Sequence, residues 1–209
     1  MNAMHDRTIT AKLNELQPPE STVFMASLAE VALAVFAEFG APARHAQLAA
    51  EVDLLWSSSH AQVLPRELWR RRVRWLSDSS SVEAWMPEHS ADCSSAVIDM
   101  VLLARTEERP MFLAPHLRLA SRKLRRMLAT LDGALLAVRP PVREAAGSAE
   151  SDSLEDRETE RQRNVLELST LAGRPDIIRR DAQEFAGLVR ATLQMATLTR
   201  TARRAPLAM

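Results

Sequence analysis

The stretch that decides the fold is Pro115-His-Leu-Arg-Leu-Ala-Ser-Arg-Lys-Leu-Arg-Arg-Met-Leu-Ala-Thr-Leu-Asp-Gly-Ala-Leu-Leu-Ala-Val138. Leu117, Ala120, Leu124, Leu128, Leu131, Leu135 and Val138 recur every three or four residues, the period of one helix face. Arg118, Arg122, Arg125 and Arg126 fall opposite the leucines. The only hairpin-like pair, Asp132-Gly133, lies inside this helical run and signals no strand turn.

The same proline punctuation recurs along the rest of the chain. Pro18-Pro19 and then Glu20-Ser21 read as a break and an N-cap. Val23, Phe24, Leu28, Val31, Val35, Phe36 and Phe39 follow at helical spacing, and Gly40 reads as their C-cap. Pro42 opens a second helix with Leu48, Val52, Leu55 and Trp56. A third runs from Leu64 to about Leu76, and a fourth from Ser90 or Asp92, with Val97, Met100, Val101 and Ala104 on one side. Pro110 stops the fourth, and Pro115 starts the fifth. A sixth begins at Leu154 and a seventh at Pro175-Asp176, carrying Ile178, Phe185, Leu188, Val189, Leu193 and Leu198. The expectation is an all-α fold: an irregular helical bundle of about six to seven helices with a C-terminal helical hairpin. Residues 1–19 form an N-terminal segment, 20–139 a helical core body, 140–153 a polar linker, and 154–209 the hairpin and tail. The hairpin's apolar faces need covering, by the body or by another chain.

Composition agrees. A chain of 209 residues buries enough surface to fold without disulfides or metals. The single cysteine, Cys93, cannot form an internal disulfide, which fits a reducing cytoplasm. No apolar leader stands at the N-terminus. No stretch approaches ~20 uncharged apolar residues, since the run from Val31 to Ala37 is bounded by Glu30 and Glu38.

Net charge is zero, but its distribution is uneven. Arg109 to Arg126 holds six basic residues and no acid, whereas Glu144 to Glu160 holds seven acids and one arginine. Such asymmetry points to complementary surfaces or a partner. The tryptophans Trp56, Trp69, Trp75 and Trp85 cluster within thirty residues, together with Arg66, Arg70, Arg71, Arg72 and Arg74. Trp and Arg are the residues most enriched at interface hot spots. A single Trp is ordinarily a core residue, but the combination reads as a binding surface. The candidate partner-binding residues are Trp69, Arg70, Arg74 and Trp75, with Arg118, Arg122 and Arg126 as a second basic stripe.

Chemistry finds less support. His89, Asp92 and Cys93 are too few for a zinc site, and Cys93 reads as a small buried thiol. There is no phosphate-binding glycine loop, nucleophile elbow or dinucleotide fingerprint. The expectation is a non-enzymatic protein with no cofactor and no metal. The alternative is a helical nucleic-acid-binding regulator using residues 64–76 and 115–138, although no helix-turn-helix is recognisable and the chain's own acids could cover the arginines.

With Leu64-Pro65-Arg66-Glu67-Leu68-Trp69-Arg70, the chain's size and helical layout resemble the sorting-platform adaptors of bacterial type III secretion systems, in the version found in the Hrp gene clusters of plant pathogens. The resemblance covers most of the chain in length and layout and transfers no site residue by residue. It implies a cytoplasmic protein, peripheral at the inner membrane through partners, that bridges the inner-membrane ring and the export platform. Its partners would be other proteins of the secretion assembly.

Overall fold

In a computed structural model of the chain, the described residues are 2–57, 90–106, 110–136, 153–172 and 174–204. Among them the fold is all-helical: α1 (Asn2–Glu15), α2 (Pro18–Phe39), α3 (Pro42–Ser57), α4 (Ser90–Thr106), α5 (Pro110–Leu136), α6 (Leu154–Ala172) and α7 (Pro175–Arg204). The third helix read from sequence, residues 64–76, lies outside the described residues, as do Trp85, His89 and almost all of the 140–153 linker.

The centre of the bundle is α2. Phe24, Met25, Leu28, Ala29, Val31, Ala32, Val35 and Phe36 are buried on every side of it. A helix apolar all round has to be enclosed, and α3, α4, α5, α6 and α7 enclose it. By length and composition alone, Glu20–Phe39 could cross a membrane; in this fold most of it is buried. The two acids flanking the apolar run serve as anchors. Glu30 accepts a hydrogen bond from Trp56 Nε1 at 2.8 Å, and Glu38 accepts one from Gln194 Nε2 at 2.9 Å.

Helix α2 begins four residues earlier than an N-cap at Ser21 suggests, with Gln17 as its N-cap. Pro18 and Pro19 occupy its first turn, where no backbone donor is needed, and Ser21 is buried inside it. The Gln17 backbone N–H donates to Glu20 Oε2 at 2.8 Å, half of a capping box. At the other end the Gly40 N–H donates to the Phe36 carbonyl at 2.7 Å. Gly40 has an extended backbone, φ −94°, which any residue can adopt. Its requirement is space: a Cβ there would lie 2.2 Å from the Phe36 ring.

Two further elements differ from expectation. The N-terminal segment holds a helix, α1, whose Ile9 and Leu13 join the core. Helix α5 starts at Pro110, and Pro115 lies within it. Proline there removes one backbone bond near the helix start, a loss the rest of a 27-residue helix outweighs.

The C-terminal pair closes the bundle. Ser153 caps α6, its Oγ accepting from the Asp156 N–H at 3.0 Å, and Asp132 Oδ2 accepts from the Glu155 N–H at 3.2 Å. This second bond sets the end of α5 beside the start of α6, so the two run antiparallel. Helix α7 seats Ile178, Ala182, Ala186, Val189 and Leu193 in the core, mainly against α2. Trp56 ties Glu30 to Arg179, while Glu38 meets Arg190 and Gln194, so α7 runs parallel to α2. Leu188, read as a core residue of this helix, faces outward.

Candidate interaction surface

The inward stripe of α5 is the one its periodicity predicts. Leu117, Ala120, Leu124, Leu128 and Leu131 are buried. The four arginines read as one basic face divide. Arg125 turns inward and is buried, whereas Arg122 and Arg126 are exposed and Arg118 is half-exposed. Leu119, 45% exposed, lies in the same outer stripe. Gly133, further along, has open space over its Cα. The outer face of α5 is thus a row of guanidinium groups beside one exposed leucine.

The acid-rich stretch was a candidate cover for these arginines. Those of its acids whose contacts are seen turn elsewhere. Glu158 points into the core and pairs with Arg161. Glu160 pairs with Arg163 at 3.6 Å, and Asp156 closes on Ser153 at 2.8 Å. Among the described residues the side chains of Arg118, Arg122 and Arg126 make no hydrogen bond or ion pair; the Arg126 carbonyl accepts from Thr130 Oγ1 at 3.0 Å. Of the other candidate residues, Trp69, Arg70, Arg74 and Trp75 lie outside the described residues. The one tryptophan in view, Trp56, is half-buried. Its indole bonds to Glu30, and the Arg179 guanidinium stands 5.7 Å from its ring centroid. Arg179 also bonds Asp53 Oδ1 at 2.6 Å. Trp56 therefore joins α2, α3 and α7 and is a structural anchor.

A buried polar cluster escaped the sequence reading. Arg161 donates to Glu158 twice, from Nε to Oε2 at 2.7 Å and from Nη2 to Oε1 at 2.8 Å. Gln162 Nε2 donates to Glu158 Oε1 at 2.7 Å, and Gln162 Oε1 accepts from Ser121 Oγ at 2.6 Å. Arg161 also reaches the Ser27 carbonyl at 3.4 Å, the Asp181 carboxylate at 3.9 Å and the face of Phe185. Burial works against the Arg161 charge, but the Glu158 carboxylate more than offsets it and holds the guanidinium protonated. Partial burial also raises the Asp181 carboxyl from its ordinary value, with Arg161 opposing. The available signal was periodicity. Leu154, Glu158, Arg161, Gln162, Val165 and Leu166 form one inward stripe with polar residues at its middle, so a search for apolar spacing passes over it.

The Cys93 thiol is 7% exposed, and burial pushes its pKa up to about 11, against the smaller pull of Lys123. A nucleophilic cysteine requires the opposite shift. Among the described residues no group of three or more His, Cys, Asp and Glu side chains is placed to hold a metal ion. Comparison with protein-family models, curated proteins and solved structures finds no match for this chain.

Proposed function

We propose that this chain is a non-enzymatic, cytosolic interaction component of a bacterial type III secretion apparatus, bridging the inner-membrane ring and the export platform. The observation that carries an interaction role is the outer face of α5. Arg118, Arg122 and Arg126 stand in a row on a rigid helix, and the acids Asp156, Glu158 and Glu160 are committed to other partners. A row of guanidinium groups with no partner among the described residues, carried on one helix, fits recognition and steering. The assembly itself is suggested by the resemblance of Leu64–Arg70 and of the chain's length and helical layout to the sorting-platform adaptors.

The test is an affinity pull-down of the full chain from its native bacterium, read by mass spectrometry. Co-purification of inner-membrane-ring or export-platform components supports the reading. Their absence from a pull-down that captures other partners overturns it.

A further inference from the structure

We infer that the outer face of α5 docks an acidic helix of a protein partner, one carrying carboxylates four residues apart next to an apolar side chain. The inference rests on the interaction role above and adds the partner's chemistry.

Residues four apart on a helix are separated by about 6 Å, so Arg118, Arg122 and Arg126 span about 12 Å along α5. A second helix with Glu or Asp at positions i, i+4 and i+8 repeats that spacing and offers each guanidinium a carboxylate. Arginine suits this pairing because its planar fork binds a carboxylate through two parallel hydrogen bonds. Leu119 stands beside Arg118 and Arg122, 45% exposed, and gives an apolar contact that a purely ionic surface would lack. The neighbouring acids on α6 do not compete: Glu158 is sealed in the core, and Glu160 is held by Arg163.

The observations favour a protein over the two other anionic classes. An interfacial membrane helix needs a broad apolar face toward the lipid, and the apolar face of α5 is buried in the bundle. A phosphate backbone is gripped by clustered basic residues over a wide footprint. The exposed arginines of α5 form a single row, on a chain of zero net charge.

The experiment titrates the full chain with a synthetic helical peptide bearing Glu at i, i+4 and i+8 and Leu at i+1. A peptide of the same composition with the glutamates scrambled off that spacing is the control. The patterned peptide is expected to bind at least about tenfold tighter, as three partly exposed ion pairs together allow. The triple variant R118E/R122E/R126E, checked for an unchanged helical circular dichroism spectrum and melting point, should lose that preference. Equal binding of both peptides, or no loss in the variant, overturns the inference. So does stronger retention on phosphatidylglycerol vesicles or on duplex DNA than on the patterned peptide. If the triple variant misfolds, R122Q with R126Q replaces it, with about a threefold loss as the expected reading and no loss as the overturning one. The secretion reading fails separately: its pull-down uses the wild-type chain and does not depend on the peptide result.

Discussion

Arg161 and Glu158, three residues apart on α6, meet side-on through two hydrogen bonds of 2.7 and 2.8 Å, with only 4% and 0% of their side chains exposed. Such a pair is held in place by mutual need more than by net gain. Removing one partner strands a buried charge and typically costs about 3–5 kcal/mol, whereas replacing both with apolar groups is often neutral. Arg161→Met alone should lower stability by about that amount. Arg161→Met with Glu158→Leu should recover most of it. Urea denaturation of the singles and the double checks this. A single variant no worse than an ordinary surface change would show that the pair carries no such dependence.

The glycines should respond to alanine in opposite directions. At Gly40 a Cβ collides with the Phe36 ring, which is itself buried. Gly40→Ala is expected to cost about 1–3 kcal/mol through displacement of that ring. At Gly187, inside α7 with nothing within 4 Å of the added carbon, alanine should stabilise by about 0.5–1 kcal/mol. Melting temperatures that move in the same direction for both would contradict the geometry.

Trp56→Phe keeps an aromatic ring but removes the bond to Glu30 and weakens the Arg179 contact. The expected cost is about 1–2 kcal/mol. Chemical denaturation measures it, and a change within about 0.5 kcal/mol would mark Trp56 as a passive surface residue.

Cys93 makes a pH-dependent contribution whose sign is fixed by its raised pKa. Folding lifts the thiol from an ordinary value near 9 to about 11. Between those values the unfolded chain releases the proton and the folded chain keeps it. Stability from this group is therefore complete below pH 9 and is lost as pH rises through 11. Cys93→Ala should flatten that alkaline decline, and the native thiol should react with a disulfide reagent at pH 8 far more slowly than the unfolded one. Rapid native labelling would overturn the assignment.

Where apolar spacing drives burial, the structure was legible in the sequence. The inward face of α5 follows from it, and the starts of α3 at Pro42 and α7 at Pro175 follow from the prolines that precede those apolar stripes. It was misleading where one residue type serves two ends. Arg125 and Arg126 are neighbours with the same charge, yet one is buried and the other exposed, because a 100° turn per residue separates them. Glu158 read as part of the acidic run Glu144–Glu160, and Arg161 and Gln162 drew no notice, since only their partners on α2, α5 and α7 account for their burial. Helix α1 was missed because Ile9 and Leu13 are too few to stand out before Pro18. Of the proposed site, the α5 arginines are in view and the Trp69–Trp75 group lies outside the described residues.

The parallel seating of α7 on α2 imposes a temporal order on the chain. The bundle's most apolar helix is complete by Phe39, yet the helix that covers much of it begins only at Pro175. At ~5–20 residues per second of synthesis, α2 waits on the order of ten seconds for that cover. Through that interval the nascent chain carries an apolar helix without its α7 cover, and transiently exposed apolar surface of that kind is prone to aggregation. The α2–α7 contacts join segments far apart in sequence, and such contacts slow folding.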